Sequence, residues 1–193
     1  MKHLQLPLAE ADTRALVCGD EVALTGVIYT ARDAAHKYLA GTPDPKCLPD
    51  LQNAVLYHCG PVIIQRGGEW VVTAAGPTTS IREEPYMAEV IRRYRLKAII
   101  GKGGMGGDTL AACREYGCVY LSAVGGAAQV MARSIRKVTG VYMLKEFGAP
   151  EALWEMQVAD MPLIVTMDTR GASLHQQILD HSRQMLDQLT EKR

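Results

Sequence analysis

Two short polar loops carry the residue types in this chain that are able to do chemistry. The first, residues 76–82, has three hydroxyl side chains in succession from Thr78 and ends at Arg82. The second, residues 101–107, places Lys102 among five glycines. Hydroxyl groups move protons, whereas fixed cations and exposed backbone N–H groups bind carboxylates and phosphates. The two loops together predict a site for a small anion.

Each loop is preceded by a segment typical of a strand and followed by one typical of a helix. Residues 70–75 and 96–100 are largely apolar, and apolar residues recur at helical spacing in residues 87–94. Ligands of α/β proteins usually bind where such junctions meet at one end of a sheet, and helix N-termini there favour anions. We therefore expect both loops to lie at the same edge of a sheet.

The glycines of the second loop raise the question of nucleotide binding, which the neighbouring residues argue against. The spacing Gly101-x-Gly103-x-x-Gly106 matches the dinucleotide fingerprint, but residues 120–124, about 20 positions later, hold no carboxylate for a ribose. The loop is not a P-loop, because Lys102 precedes most of the glycines and no Ser or Thr directly follows it. Two interpretations remain: an anion nest of N–H groups, or a wide turn with a solvated lysine.

The first loop also has more than one structural interpretation. Ser80 and Glu83 have the spacing of a capping box, which would begin a helix at Ser80 and requires no function. Pro85 argues for a later start, because within such a helix it would remove a hydrogen-bond donor. Residues 78–84 would then form an extended loop with free hydroxyl groups, so both helix starts stay open.

The remaining residues predict strands and helices within one domain, residues 1–193, in which residues 1–20 are an N-terminal arm. Residues 21–30 predict a strand where Gly26 marks a bulge or a close backbone approach, and Thr30 is the candidate N-cap of the following helix. The other predicted elements are a loop over 41–49, a hairpin of strands 61–65 and 70–75, strands over 54–59, 96–100, 118–121, 138–144, 153–158 and 163–167, and helices over 31–40, 87–94, 108–115, 127–132 and 174–189.

Composition argues against several classes of function. The 193-residue chain has 21 basic and 21 acidic residues, so no net field favours nucleic acid or an anionic membrane. No apolar run approaches the roughly 20 residues of a membrane span, and the first residues do not resemble a signal peptide, which predicts a soluble cytoplasmic protein. The five cysteines are scattered without a C-x-x-C pair, so we expect buried or half-buried thiols and no metal site within this chain.

Four further polar side chains have ordinary structural interpretations. Taken singly, Arg32 and Arg82 are more typical of surface charges than of ligands, His36 of a helix surface, and His58 of a core. The residue pattern alone therefore leads to an anion site whose ligand is undefined.

Six motifs follow one another along nearly the whole chain. They are Leu24-Thr25-Gly26, Thr30-Ala31-Arg32-Asp33-Ala34-Ala35-His36-Lys37, Gly60-Pro61, Gly76-Pro77-Thr78-Thr79-Ser80-x-Arg82, Gly101-Lys102-Gly103-Gly104-Met105-Gly106 and Leu153-Trp154. In this combination the chain resembles the β subunit of class I fumarases and L-tartrate dehydratases, the iron–sulfur hydro-lyases. The resemblance implies an α/β fold similar to a swivelling β/β/α domain, with a mixed sheet and flanking helices.

The resemblance also implies a function, which is the reversible hydration or dehydration of a hydroxy-dicarboxylate by a heteromer. The catalytic residues that it implies are Thr78, in the proton transfer, and Lys102. The implied substrate-binding residues are Arg32, Thr79, Arg82, Lys102 and Gly103. A 4Fe–4S cluster would be carried by the partner α subunit, and no metal by this chain. Arginine suits such a substrate because it pairs bidentately with carboxylates, and a threonine base needs nearby cations to lower the pKa of its hydroxyl.

One stretch, Glu83-Glu84-Pro85, departs from the family pattern, which usually continues after Arg82 with Met and an acidic residue. The departure puts a carboxylate beside an arginine of the implied substrate site and changes the entry to the next helix. It keeps an alternative function open, a non-catalytic anion-binding or assembly module of the same fold.

Overall fold

The computed structural model describes residues 1–42 and 47–190, which contain nine strands and seven α-helices. The strands are β1 (Lys2–Gln5), β2 (Glu21–Ala31), β3 (Val55–His58), β4 (Val62–Arg66), β5 (Glu69–Ala74), β6 (Ala98–Gly101), β7 (Val119–Ser122), β8 (Ile135–Tyr142) and β9 (Leu153–Met167). The helices are α1 (Glu10–Arg14), α2 (Asp33–Gly41), α3 (Glu84–Tyr94), α4 (Gly107–Tyr116), α5 (Ala128–Ser134), α6 (Leu144–Phe147) and α7 (Leu174–Thr190).

Seven of the nine strands belong to one mixed sheet in the order β1-β2-β3-β6-β7-β9-β8. Strands β1, β2, β3, β6 and β7 run parallel to one another, whereas β9 runs antiparallel to β2, β7 and β8. Because β9 pairs with both β2 and β7, the sheet closes into a ring of five strands, β2, β3, β6, β7 and β9. The α/β fold with a mixed sheet and flanking helices that the resemblance implies is confirmed.

Strands β4 and β5 form a separate antiparallel hairpin, as predicted. Arg66 pairs with Glu69 across a two-residue turn, and both residues of that turn, Gly67 and Gly68, have positive φ angles of 59° and 85°. A tight turn of this kind requires left-handed backbone at both positions, which glycine adopts without strain. The hairpin delivers the chain to residue 76, where the first polar loop begins.

Strand β2 is bent where the sequence predicted a bulge. The register of its pairing with β9 shifts between Leu24 and Gly26, and Gly26 has a φ of 132°. A Cβ at Gly26 would lie 2.5 Å from Cβ of Leu6, so the predicted close backbone approach is also present. The neighbouring chain segment belongs to residues 1–20, which form strand β1 parallel to β2 and helix α1, and bury Leu8 and Leu16.

The parallel strands divide their side chains between two apolar clusters. Leu56 and Ile99 face the cluster that α2, α3 and α4 cover, whereas the next residues, Tyr57 and Ile100, face the opposite cluster. This alternation is the period of two that a strand imposes. The predicted amphipathic helix α3 is confirmed, since Met87 and the other apolar residues of its inner face are buried; full burial of one such side chain stabilises the fold by about 1.5–3 kcal/mol.

Several predicted boundaries differ from the structure, among them the N-cap at Thr30, the division of residues 153–167 and the loop over 41–49. Thr30 is not an N-cap, because β2 continues through Ala31 and the Thr30 hydroxyl accepts a hydrogen bond from the Trp154 N–H at 3.1 Å; α2 begins only after Arg32. The two predicted strands 153–158 and 163–167 are one strand, because β9 pairs with β2 across the interval between them. Of the predicted loop 41–49, residue 41 ends α2, and residues 43–46 lie outside the described part of the chain.

The entry to α3 combines the two starts that the sequence left open. Residues Ser80–Glu83 form a 3-10 turn that leads directly into α3, with Pro85 in its first turn, so residues 80–84 are not an extended loop. The Ser80 side chain makes no capping hydrogen bond, because the hydroxyl is buried and bonded elsewhere. The first polar loop therefore leads into α3 through a 3-10 turn.

The cysteines are free thiols in the described chain, which includes all five of them. Cys59, Cys113 and Cys118 are buried and Cys18 is half-buried, whereas Cys47 is exposed, so the expectation of covered thiols is wrong for Cys47. Burial raises the pKa of the Cys59 thiol to about 12 and that of Cys18 to about 11. Neither thiol is therefore a thiolate at neutral pH.

The terminal helix α7 is present where the sequence predicted it, and its apolar side chains, such as Ile178 and Leu189, are exposed. Among residues 1–42 and 47–190 no helix has both the length and the apolar character needed to cross a bilayer.

Candidate functional site

The candidate residues lie where the parallel strands of the sheet end. Arg32 directly follows β2, and Lys102 and Gly103 directly follow β6. Thr78 belongs to the loop after the hairpin, but its N–H donates a hydrogen bond of 2.7 Å to the carbonyl of His58, the last residue of β3. Three neighbouring strands thus bring these residues to one edge, which is where α/β proteins bind ligands.

The two polar loops contact each other through their backbones. Thr79 and Lys102 form an isolated parallel bridge, and the N–H of Ser80 donates a hydrogen bond of 3.0 Å to the carbonyl of Lys102. The prediction that both loops lie at one sheet edge is confirmed. The side chains of Thr78 and Lys102 are half-buried, and Thr79 is exposed, so this edge is open to a ligand.

The two arginines are connected through one carboxylate. Arg82 Nη2 donates a hydrogen bond to Asp33 Oδ2, and Arg32 Nη2 lies 3.8 Å from the same oxygen. Arg32 Nε also lies 3.4 Å from Glu151 Oε1. The Arg32 side chain is 25% exposed and that of Arg82 is 53% exposed, so Arg82 is the freer of the two to turn towards a ligand.

Gly60 is required by the position of Arg32. A Cβ at Gly60 would lie 2.7 Å from Arg32 Cδ and 2.7 Å from the carbonyl oxygen of Pro150. Any side chain there would displace the guanidinium stem or the backbone, and contacts of this kind force strain. The Gly60-Pro61 motif therefore acts by leaving room for Arg32 beside β3.

The second loop is held by a carboxylate from another helix. Glu84, at the start of α3, accepts hydrogen bonds from the N–H of Gly106 at 2.7 Å and the hydroxyl of Thr109 at 2.6 Å, and from the N–H groups of Asp108 and Thr109 at 3.1 Å each. The first N–H groups of α4 need such an acceptor, and the N-cap position, Gly106, has no side chain to supply one. A Cβ at Gly106 would lie 2.6 Å from Glu84 Oε1.

This arrangement revises the interpretation of the second loop as an anion nest. The N–H groups at the beginning of α4 already bind Glu84, so an external phosphate or carboxylate would compete with an internal one. The cation of Lys102 remains available, since it makes no ion pair with any of residues 1–42 and 47–190. Ligand binding at this loop therefore depends on the lysine side chain rather than on the helix terminus.

A buried polar network lies behind the two loops. The Tyr120 hydroxyl donates to Ser80 Oγ at 2.8 Å, and Ser80 Oγ lies 2.9 Å from His58 Nδ1. The backbone of Gly101 passes against this hydroxyl, since a Cβ there would lie 1.9 Å from Ser80 Oγ. Burial lowers the pKa of His58 well below its ordinary value, so the ring is neutral. The expectation that His58 is a core histidine is confirmed.

His36 and Glu83 form a second buried pair beside the arginines. His36 Nδ1 bonds the carbonyl of Arg32 at 2.9 Å and lies 3.5 Å from Glu83 Oε2, and neither side chain is exposed. The expectation of a surface histidine is wrong, because α2 turns this face towards the sheet and the two histidine rings meet edge to face at 4.8 Å. Burial lowers the pKa of His36 to about 4.

Glu83 is the departure from the family pattern, and its carboxyl group is protonated at neutral pH. Burial, with a smaller contribution from the nearby Asp33 carboxylate, raises the pKa of Glu83 to about 8. The group therefore adds no full negative charge beside Arg82 at pH 7, and Glu84 points away to α4. The prediction of a carboxyl group beside Arg82 is correct, but the sequence does not show that burial would raise the pKa of this group and keep it protonated.

The donor set of the chain does not fit a metal cluster. In the part of the chain that the structure describes, no group of three or more Cys, His, Asp or Glu side chains is placed to hold a metal ion. The buried cysteines are also divided, with Cys59 in one apolar cluster and Cys113 and Cys118 in the other.

Comparison with known proteins gives consistent matches over most of the chain. The model of the fumarase C-terminus family matches residues 2–178. The chain is 50% identical over 189 residues to "Putative fumarate hydratase class I" of Geobacillus stearothermophilus, which covers 97% of this chain but only 36% of that relative. It is 41% identical over 192 residues to "Putative L(+)-tartrate dehydratase subunit beta" of Methanocaldococcus jannaschii, with 98% of each chain covered. It is 34% identical over 175 residues to "L(+)-tartrate dehydratase subunit beta" of Escherichia coli, with 90% and 86% covered.

Proposed function

The chain belongs to the fumarase C-terminus family, and from that premise we propose that it is the β subunit of a hydro-lyase acting on a hydroxy-dicarboxylate. Two relatives named as tartrate dehydratase β subunits match over most of their own length. The relative named as a fumarate hydratase is much longer than this chain. The subunit names of those two relatives support a catalytic unit in which a separate α subunit completes the active site, and we expect this heteromer to work in the cytoplasm.

One observation carries the proposal, which is the convergence of three cations and two hydroxyl groups at the ends of β2, β3 and β6. Arg32 and Arg82 approach the same carboxylate of Asp33, and Lys102 adjoins Thr79. A substrate with two carboxylates requires cations at both ends, and arginine pairs with each carboxylate through two parallel hydrogen bonds. We propose that Arg32, Arg82 and Lys102 bind the dicarboxylate, with Thr79 and the open backbone at Gly103 beside it.

Asp33 pairs with the guanidinium groups that the proposed substrate needs. The Arg82 side chain is half-exposed and bonded to Asp33 through one nitrogen, which leaves its other donors available. A substrate carboxylate that bonds Arg82 bidentately would replace a single hydrogen bond with two. Asp33 would then keep the two guanidinium groups in place without blocking them.

Thr78 is the candidate for proton transfer at the carbon next to a substrate carboxylate. Its backbone N–H is fixed on His58, and its half-buried side chain lies at the edge that also holds Lys102. Nearby cations favour an ionised hydroxyl and also the negative charge that develops on the substrate when the proton leaves. Thr78 would accept the proton, and Lys102 would stabilise the charge.

A 4Fe–4S cluster carried by the α subunit would supply the Lewis acid for the departing hydroxyl group. We assign binding, orientation and proton transfer to this chain and the cluster to its partner, since no group of three or more Cys, His, Asp or Glu side chains in residues 1–42 and 47–190 is placed to hold a metal ion. The proposed substrates are L-malate, with fumarate as its dehydration product, and L(+)-tartrate. L-malate and L(+)-tartrate differ by a single hydroxyl group.

The test is a comparison of single variants in the reconstituted complex. The chain is co-expressed with the α subunit, the cluster is reconstituted without oxygen, and turnover of L-malate, fumarate and L(+)-tartrate is measured. Thr78→Ala and Lys102→Ala are each expected to lower kcat at least about 100-fold, whereas Lys137→Ala, which removes an exposed lysine on β8, leaves it unchanged. Undiminished turnover in Thr78→Ala, or turnover by the iron-free chain alone, would contradict the proposal.

The alternative, an anion-binding or assembly module without catalysis, loses its main support in the structure. Its basis was the stretch after Arg82, but Glu84 caps α4 and Glu83 is protonated, so neither blocks the cations. The same complex discriminates between the two functions, because a module would bind malate in calorimetry and leave every dicarboxylate unchanged. A nucleotide-binding function is disfavoured by Glu84 as well, and NAD or ATP is expected to give no thermal shift.

A further inference from the structure

We propose that His58 is the positioning residue for Thr78, holding the three-residue turn from Thr78 to Ser80 at both of its ends. The inference rests on the proposed function, in which Thr78 transfers the proton. The His58 carbonyl accepts the N–H of Thr78 at 2.7 Å, and its ring nitrogen Nδ1 lies 2.9 Å from the hydroxyl of Ser80. One residue at the end of β3 therefore fixes the first and last residues of the turn that carries the proposed base.

The Tyr120 hydroxyl donates to Ser80 Oγ at 2.8 Å, and the remaining hydrogen of Ser80 is available for His58 Nδ1, 2.9 Å away. We take this arrangement as part of the proposal. It puts the ring proton of His58 on Nε2, a buried atom that has no hydrogen-bond partner among the described residues. A neutral ring is needed for this arrangement, since a protonated Nδ1 has no lone pair to accept with.

The surroundings of His58 keep the ring neutral. Its closest titratable neighbours are His36, whose ring lies 4.8 Å away and is itself fully buried, and Tyr120, which acts through Ser80. Burial and the neighbouring His36 lower the pKa of His58 well below its ordinary value. The ring therefore remains neutral across the pH range in which the enzyme would work, as an accepting Nδ1 requires.

Ser80 also connects the turn to the loop that carries Lys102. Ser80 lies against the backbone of Gly101, and the Ser80 N–H bonds the carbonyl of Lys102 at 3.0 Å. Because glycine alone leaves room for the hydroxyl, the turn and the lysine loop cannot move independently. A change at His58 is thus expected to displace the proposed base, with its neighbouring cation following through the shared backbone.

Three variants separate the hydrogen bond from simple packing. His58→Leu keeps the bulk but removes the acceptor, whereas His58→Asn is the conservative variant, because its side-chain oxygen is attached to Cγ as Nδ1 is. Tyr57→Phe is the matched control, since it removes one buried hydrogen bond, from Tyr57 to the carbonyl of Ala75, at the preceding position of the same strand. Each variant is measured in the complex with the α subunit and as the full isolated chain.

We expect His58→Leu to lower kcat about 100-fold, because a displacement of about 1 Å at a catalytic group has an effect of this size. KM is expected to rise by less than kcat falls, because Arg32 follows β2 outside the turn, although Arg82 and Lys102 move with it. His58→Asn should recover most of the lost kcat, and Tyr57→Phe should leave kcat unchanged. A loss of stability in His58→Leu with unchanged kcat, or no recovery in His58→Asn, would overturn the proposal.

A second measurement does not depend on turnover. In the isolated chain, amide hydrogen exchange of Thr78, followed by NMR, is expected to become about tenfold faster in His58→Leu and to stay near the parent rate in His58→Asn. An unchanged exchange rate in His58→Leu refutes the positioning role on its own. If the exchange changes as expected but no dicarboxylate is turned over by the parent complex with an intact cluster, the proposed function fails and the positioning of the turn stands.

Discussion

Glu84→Gln tests whether one carboxylate holds the lysine loop. Four donors meet the two oxygens of Glu84, at 2.6, 2.7, 3.1 and 3.1 Å. Gln has one acceptor oxygen and one NH2 group, so two of these donors lose their partner. An unmade hydrogen bond in a protein costs about 1–3 kcal/mol, and the lower end applies here because water reaches the half-buried group. We expect a loss of about 2 kcal/mol, or about 4–8 °C in Tm for a chain of this size.

The assay is urea unfolding of the isolated chain, with Glu89→Gln as the control. Glu89 lies on the same helix, its side chain is 41% exposed and it hydrogen-bonds Arg92, so the identical chemical change there is expected to stay within about 0.5 kcal/mol. Because Thr109 supplies two of the four donors, Glu84→Gln combined with Thr109→Val should destabilise by less than the sum of the single effects. Equal midpoints for Glu84→Gln and Glu89→Gln would refute the capping role.

Three further changes test other contacts of the site. Gly101→Ala would place a Cβ 1.9 Å from Ser80 Oγ and is expected to destabilise the fold by at least about 3 kcal/mol in urea unfolding, whereas Gly107→Ala, in open space, should be nearly neutral. Burial raises the pKa of Glu83 from 4.5 to about 8, so between these values the folded form keeps a proton that the unfolded form releases. The free energy of unfolding therefore falls as pH rises through that interval. Glu83→Gln should flatten this decline, which is measured by comparing unfolding curves at about pH 5 and about pH 9. Asp33→Asn should release the paired arginine and tighten malate binding in calorimetry, and weaker binding would contradict the role of Asp33 as a substitute for the substrate.

Periodicity and turn chemistry predicted much of the fold. Local sequence patterns were sufficient to predict three features, namely the apolar face of α3, the hairpin at Gly67-Gly68 and the bulge at Gly26. The errors occur where tertiary pairing overrides a local signal. Thr30 has the residue type of an N-cap, but strand pairing extends β2 past it, and no local pattern reveals that β9 would pair with β2 along one long strand.

The candidate site was predictable as far as its polar loops but not in its supporting contacts. Lys102 and Thr78 stand in motifs that indicate an anion site, and their loops do meet. Nothing in the sequence joins Glu84 to α4 or Ser80 to His58, because these contacts link elements that are more than twenty residues apart. One signal could have indicated them, which is that a glycine at the end of a strand often leaves room for another group.

The charges of the site explain why burial of Glu83 matters for function. Arg32 and Arg82 are matched by the carboxylates of Asp33 and Glu151, with which a dicarboxylate would compete in the proposed function, whereas Lys102 makes no ion pair with residues 1–42 and 47–190. A third ionised carboxylate beside Arg82 would make the arginine cluster net negative and repel the substrate. Because burial raises the pKa of Glu83 to about 8, the group is mainly protonated at pH 7 and the cluster stays balanced. The chain therefore tolerates an acidic residue in a position that would otherwise weaken anion binding, because the fold removes its charge.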